Sequence, residues 1–360
     1  MSQIRIHDLL RHAVQQKASD IHIAAGEPPA LRIHGEIERL NMPPLPAAEA
    51  RRLAYSIMNE KQKVIFENEL ELDFSFGLKG LARFRVNVFQ QRRGVGIVLR
   101  QIPSQVLTLE EINAPQVFRK IAEIRKGLVL VTGPTGSGKS TTLAAIIDHI
   151  NKNRAEHIIT IEDPLEFVHS PMKCIINQRE IGAHTKSFSN ALRSALREDP
   201  DVILVGEMRD LETVSLAMSA AETGHLVFGT LHTNSCPETI DRIIDSYPHE
   251  QQSQVRTMLS TSLMAVITQG LMRRQDSAGR VAVHEIMIVN RAIRNLIREN
   301  KLHQIPSSME TAKGSGMQTM EMALKEAVRK RLITRQQAIT FSNNPNLFQS
   351  EDMGRPTHRR

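Results

Sequence analysis

The chain has 360 residues, 41% hydrophobic and 24% charged, with no tryptophan and a formal net charge of +7. That length suits two domains of roughly 100–200 residues each, and no apolar run approaches the ~20 residues that would cross a bilayer. The positive charge is scattered, without basic blocks interleaved with aromatics, so nucleic-acid binding is not expected. The N-terminus lacks a signal-peptide core, which points to the cytoplasm. Two cysteines, Cys174 and Cys236, are too few for a disulfide scaffold or a four-cysteine zinc site and read as plain thiols.

In chain order, "MSQIRIHDLLRHAVQQ" predicts an amphipathic helix, and residues 19–40 predict two short alternating strands around a Gly-Glu-Pro-Pro turn. A Pro-rich loop and a helix follow, then "LDFSFGLKGLARFRVNVFQQRRGVGIVLRQI" returns to alternating strands with glycines at the turns. Residues 1–102 therefore read as an α+β domain on an antiparallel sheet, and 103–114 as a linker flanked by prolines. From 115 to 289 the strands become apolar throughout ("GLVLVTG", "HIITIEDP", "VILVGE", "HLVFGTLH") and alternate with helices. That is the pattern of a doubly wound α/β domain whose strands are buried on both faces. Residues 290–345 read as helical and 346–360 as a disordered tail.

"GPTGSGKST" spans Gly133, Pro134, Thr135, Gly136, Ser137, Gly138, Lys139, Ser140 and Thr141. It follows an apolar strand and opens a helix, the context that marks a P-loop. Glycines let backbone N–H groups wrap the phosphates of ATP, Lys139 reaches the β- and γ-phosphates, and Ser140 offers its hydroxyl to Mg²⁺. Such a site also needs carboxylates at the carboxyl edge of neighbouring strands. "DPDVILVGEMRD" places Glu207 there where an aspartate is usual, long enough to hold Mg²⁺ through a water. "IITIEDPLEFVH" adds Glu162, Asp163 and Glu166 for water activation or Mg²⁺ binding, although any one of them could instead pair with a neighbouring arginine. His225 and His232 flank "LVFGTL" at a spacing that does not suit zinc; each either senses a γ-phosphate or satisfies loop backbone. In "RAIRNLIRE", Ala292, Ile293, Leu296 and Ile297 share one helical face, and Arg291, Arg294 and Arg298 cluster on another.

Together, the P-loop, "IEDPLEF", "DVILVGEMRD" and "TGHLVFGTLHT" resemble the ATPases of type II secretion and type IV pili. The resemblance takes in "KASDIHIAAGEPPALRIHGE" and "AVHEI" and covers nearly the whole chain. "AIRNLIRE" is similar to the signature of the pilus-retraction, twitching-motility branch, the PilT type. The resemblance implies an α/β protein in which a PAS-like N-terminal α+β domain precedes a RecA-like P-loop domain with C-terminal helices, assembled as a homohexameric ring. It also implies an inner-membrane pilus platform protein as partner, engaged at the cytoplasmic face of that membrane. Carried onto these residues, it makes Lys139 and Ser140 the ligands of phosphate and Mg²⁺, and Glu207 a Mg²⁺ ligand through water. Glu166 becomes the base, with Glu162 in reserve, and His225 and His232 become sensors. Arg85 and Arg100, with Arg83 less surely, would neutralise charge on the transferred phosphate. Arg291, Arg294 and Arg298 would serve a partner or an intersubunit acid. An assembly or secretion ATPase of the same group, a RecA-like nucleic-acid translocase and a non-hydrolysing nucleotide sensor remain as alternatives.

Overall fold

A computed structural model describes residues 4–348 apart from 34, 79, 103, 104 and 278. The chain divides into two compact units: one runs to Gln105 and includes Glu166–Val168, and the other takes Val106–Leu165 and the chain from His169.

In the first unit, α1 (Ile6–Gln15), α2 (Ala47–Tyr55) and α3 (Glu60–Glu69) accompany an antiparallel sheet of six strands. These are β1 (Asp20–Ala24), β2 (Ala30–Ile33), β3 (Glu36–Arg39), β4 (Glu71–Leu78), β5 (Ala82–Gln91) and β6 (Gly94–Ile102), in the order β3-β2-β1-β6-β5-β4. Ile21, Ile23, Phe84, Val86, Val88, Ile97 and Leu99 alternate onto one face and bury against Leu10 and Leu53. Residues 19–40 hold three strands rather than the expected two. The third, β3, is an edge strand whose side chains are all exposed, so no apolar alternation announces it.

The opposite face carries a charged row. Arg32, Asp20, Arg100 and Arg85 stand side by side in register on β2, β1, β6 and β5. Asp20 is buried; Arg100 Nε donates to it at 2.8 Å, Ser19 Oγ at 2.8 Å, and Arg32 Nε lies 3.9 Å away. Burial pushes this carboxyl up, but the Arg100 and Ser19 hydrogen bonds and the Arg100 charge outweigh it, leaving it below its ordinary value.

The second unit is three-layered, with a sheet of seven strands. They are β7 (Gly127–Thr132), β8 (His157–Glu162), β9 (Ile175–Glu180), β10 (Val202–Val205), β11 (Leu226–Leu231), β12 (Leu263–Arg273) and β13 (Arg280–Ile288). The order is β13-β12-β7-β11-β10-β8-β9, parallel except for the β12–β13 pair. Its helices are α4 (Val117–Ala122), α5 (Lys139–Asn153), α6 (Phe188–Ala195), α7 (Leu211–Glu222), α8 (Cys236–Asp245), α9 (His249–Ser262), α10 (Arg291–Arg298), α11 (Ile305–Thr311), α12 (Met320–Arg329) and α13 (Arg335–Phe341). One face of the sheet packs on α4 and α5 through Val129, Val131, Ile146 and Phe228; the other packs on α6 to α11 through Leu130, Ile203, Ile243 and Ile293. Because β7, β8, β10 and β11 are parallel and in near register, their carboxyl ends share one edge.

Three strands of this sheet, β9, β12 and β13, were not among the sequence expectations. β12 begins directly at the end of α9 with no glycine or proline between them, and β9 is a polar edge strand. Residues 106–114 belong to the second unit rather than standing apart as a linker, because Leu109 is buried in its core. Of the expected tail, Phe348 is buried beneath α12 and α13, and residues 349–360 lie outside the described residues. Both cysteines are buried free thiols. No helix among the described residues is long and apolar enough to cross a membrane.

Two outcomes follow from this packing. Phe228→Ala, which empties a fully buried site, should cost about 3–5 kcal/mol in urea unfolding. Since the Asp20 carboxyl is depressed in the folded chain, its contribution is present above the ordinary carboxylate range and lost as pH falls through the depressed value. Asp20→Asn should therefore be less stable than wild type at neutral pH, with the gap closing on acidification, as followed by unfolding midpoints at stepped pH.

Candidate nucleotide site

β7 runs straight into the P-loop. Gly133, Gly136 and Gly138 adopt φ of +134°, +80° and +88°, the left-handed region that side chains avoid. A Cβ on Gly133 would lie 2.3 Å from the Gln269 carbonyl oxygen, too close for any residue but glycine. α5 starts at Lys139 with no side-chain cap, so its first N–H groups offer a seat for an anion. Lys139 is folded back over the loop, donating to the Gly133 carbonyl at 2.8 Å and the Pro134 carbonyl at 3.1 Å. Partial burial lowers its pKa, and the Glu207 charge opposes the shift. Thr135, Gly136 and Ser140 are exposed.

Gln269 of β12, which sequence reasoning did not single out, holds this loop. Its Nε2 donates to the Ser137 carbonyl at 2.7 Å, and its Oε1 accepts from Thr142 Oγ1 of α5 at 2.7 Å, with the side chain buried. One amide thus satisfies groups on both sides of the lysine. One strand position earlier, Thr268 Oγ1 meets Thr132 Oγ1 at 2.8 Å, joining β12 to the last residue before the loop. No motif marks Gln269, because its role depends on two strands 130 residues apart in sequence becoming neighbours.

The acids stand on the same edge. Glu207 follows β10 and is engaged by Arg209 Nη2 at 2.6 Å and by His232 Nε2 at 3.0 Å. The Arg209 hydrogen bond is the main cause of its lowered pKa, so it is an anion at neutral pH. Arg209 was not foreseen, and the "EMR" triplet is the signal that could have pointed to it. Glu162 closes β8, buried, accepting from Thr160 Oγ1 at 2.7 Å. Gly206 lies against it: a Cβ there would come within 3.2 Å of the Glu162 Cα. Among the described residues no group of three or more His, Cys, Asp or Glu side chains forms a metal cage. A Mg²⁺ arriving on phosphates would find hard oxygen donors here in the Ser140 hydroxyl and the Glu207 carboxylate.

A cavity of about 640 Å³ opens beside the first turn of α5. Thr141 borders it, Leu107, Ile112 and Leu271 supply apolar walls, and Arg274, Arg280 and Lys330 add positive charge. The size and lining suit a nucleoside attached to phosphates on the loop.

The remaining expected residues divide between the two units. His225 precedes β11 and so sits at the amino edge of the sheet, opposite the P-loop, where its Nδ1 is 2.9 Å from the Ala220 carbonyl. It satisfies backbone, and only His232 reaches the acidic edge. Glu166 is exposed and falls in the segment counted with the first unit. Arg83, Arg85 and Arg100 are also in the first unit: Arg83 donates to Ser75 Oγ at 2.7 Å, Arg100 holds Asp20, and Arg85 is exposed. On α10, Ile293 and Ile297 are buried, but Ala292 is exposed, off the expected apolar face. Arg294 departs from the arginine stripe, half-buried over Met264 Sδ at 3.6 Å, while Arg291 and Arg298 stay exposed.

Gln269→Leu keeps the volume but strips partners from a buried carbonyl and a buried hydroxyl, each worth about 1–3 kcal/mol when left unmade. ATP affinity should fall at least about tenfold by fluorescent-nucleotide titration. Gly133→Ala should bind no nucleotide.

The description "Type II/IV secretion system protein" fits a family model that matches residues 2–340. The chain is 56% identical to the type IV pilus retraction ATPase PilT of Pseudomonas aeruginosa over 95% of its length and 99% of that protein. It is also 56% identical to a twitching motility protein of Neisseria gonorrhoeae, over 94% of its length and 91% of that protein. A crystal structure of the pilus retraction motor PilT with bound ADP superimposes with a TM-score of 0.91 at 50% identity, covering 96% of this chain and 98% of the other. The Legionella pneumophila ATPase DotB gives 0.81 at 29% identity, covering 94% and 96%. The chain is therefore a member of the type II/IV secretion ATPase family, with its strong likeness on the pilus-retraction side.

Proposed function

We propose that this protein is the ATP-hydrolysing motor that powers type IV pilus retraction. The observation that carries the reading is the P-loop held by Gln269 beside the Arg209–Glu207–His232 cluster, in a chain that matches a retraction ATPase along nearly its whole length.

ATP phosphates would draw the Lys139 ammonium from the Gly133 and Pro134 carbonyls onto the β- and γ-oxygens, an exchange of neutral acceptors for charged ones. The uncapped start of α5 holds the β-phosphate, and the nucleoside takes the adjoining cavity. Ser140 and, through water, Glu207 would hold a Mg²⁺ carried in on the phosphates, which when bound would supply charge neutralisation there. Both Glu207 oxygens already have partners in Arg209 and His232, which favours the water-mediated contact. His232 bonds Glu207, whose charge is felt at Lys139, so loss of the γ-phosphate would be felt through this one hydrogen bond. Glu166 serves as the base that takes the proton of the attacking water, with Glu162, buried and bonded to Thr160, as the reserve. Arg85 and Arg100, with Arg83, would spread the charge developing on the departing phosphoryl group. The protein works as a homohexamer at the cytoplasmic face of the inner membrane, against a pilus platform protein that meets Arg291 and Arg298.

In a strain lacking this protein, wild type should restore pilus retraction and twitching, and Lys139→Ala should restore neither. Pili that fail to appear at all in the deletion strain would make it an assembly motor instead. Glu166→Gln should bind ATP normally and hydrolyse it at least about 100-fold more slowly. If Glu162→Gln shows that loss and Glu166→Gln does not, the base is Glu162.

A further inference from the structure

Glu285 of β13 is buried and takes no part in the phosphate chemistry above. Its carboxylate ends at two helix starts. Oε1 accepts the N–H of Cys236, the first residue of α8, at 2.5 Å, and Oε2 accepts the N–H of Met320, the first residue of α12, at 3.2 Å. Each helix also has its own N-cap: Ser235 accepts from the Glu238 N–H, and Thr319 from the Met322 N–H. Glu285 therefore serves donors that the caps leave over, with two positive helix ends converging on one side chain. Burial, helped by Glu321, holds its pKa above the ordinary value, although the Cys236 N–H and thiol and the Met320 N–H pull it down.

The two helices lead to different places. α8 continues from the turn that carries His232, and that turn is fastened to it by Thr233 Oγ1 on Thr239 Oγ1 at 2.7 Å and by the Asn234 N–H on Glu238 at 2.8 Å. α12 opens the C-terminal helical layer, and Gln318 just before it exchanges two backbone hydrogen bonds with Ile286, at 2.8 and 3.0 Å. In register with Glu285 on β12 is Thr268, the residue that bonds Thr132 at the root of the P-loop.

We infer that Glu285 is a positioning residue that ties the His232 turn to the first turn of α12, so that a shift of the Glu207–His232 pair is felt at the C-terminal helices. The inference rests on the ATPase reading above for the event that moves the pair. A carboxylate suits the task because its two oxygens satisfy two backbone donors at once; a glutamine offers only one acceptor, and an alanine none.

The test is amide hydrogen exchange at the first turn of α12 in the full-length protein, with ADP and with a non-hydrolysable ATP analogue. In wild type the two nucleotides should give rates at Met320–Leu324 that differ by at least about threefold, a small fraction of a buried hydrogen bond's full protection. Glu285→Ala should erase the difference and Glu285→Gln should reduce it. kcat should fall about tenfold in Glu285→Ala with KM within about twofold, the split of a residue that positions rather than binds. The inference is overturned if the nucleotide-dependent difference survives in Glu285→Ala, or if wild type shows none. Should Glu285→Ala fail to fold in a thermal melt, Glu285→Gln decides by the same comparison. Wild-type turnover of ATP itself is measured alongside: a chain that binds ATP without hydrolysing it would end the ATPase reading, while the exchange comparison, which needs binding alone, would still judge Glu285.

Discussion

The site depends on one side-chain amide. Gln269 bridges the Ser137 carbonyl and the Thr142 hydroxyl, and its own backbone oxygen lies so close to residue 133 that only glycine fits. A loop built from three glycines in the left-handed region has many unbound conformations and loses much entropy on being fixed. Two buried hydrogen bonds from the neighbouring strand β12 select one of those conformations before ligand arrives, which lowers the cost of ordering the loop on binding. The parallel sheet supplies the rest, since it brings Thr132, Glu162, Gly206 and Leu231 to one edge.

At that edge the electrostatics are arranged around Glu207. A lone carboxylate beside a triphosphate would repel it. Arg209 offsets that charge, Arg209 and His232 together fix both oxygens in space, and the Glu207 charge is felt at Lys139. The glutamate-for-aspartate replacement thus comes with an arginine two residues on, and the pair behaves as a unit. Removing Arg209 would leave the part-buried Glu207 carboxylate with only His232 against it, whereas removing Glu207 would leave an exposed guanidinium that water can solvate.

Much of this was legible in the sequence, where local pattern dictates structure. The P-loop and the helix behind it, the four apolar strands and the placement of Glu207 after β10 all follow from short stretches. What stayed hidden depends on long-range neighbours. Gln269 and Glu285 sit on strands that the sequence did not mark, because β12 leaves α9 without a break signal and β13 turns back antiparallel to it. His225 and His232 look equivalent in sequence, flanking one strand, but a strand has two ends and only its carboxyl end meets the phosphates. The expected arginine stripe of α10 loses Arg294 to Met264, a contact no helical projection contains.

Hydrolysis at this P-loop should set the pace of pilus shortening. The most direct measurement follows single labelled pili in cells whose sole retraction ATPase is this chain, using variants at Arg209 and His232 that span a range of purified hydrolysis rates. Retraction speed that rises in proportion to hydrolysis rate is the predicted result. Pili that shorten at one speed whatever the hydrolysis rate would mean that this ATPase does not drive retraction.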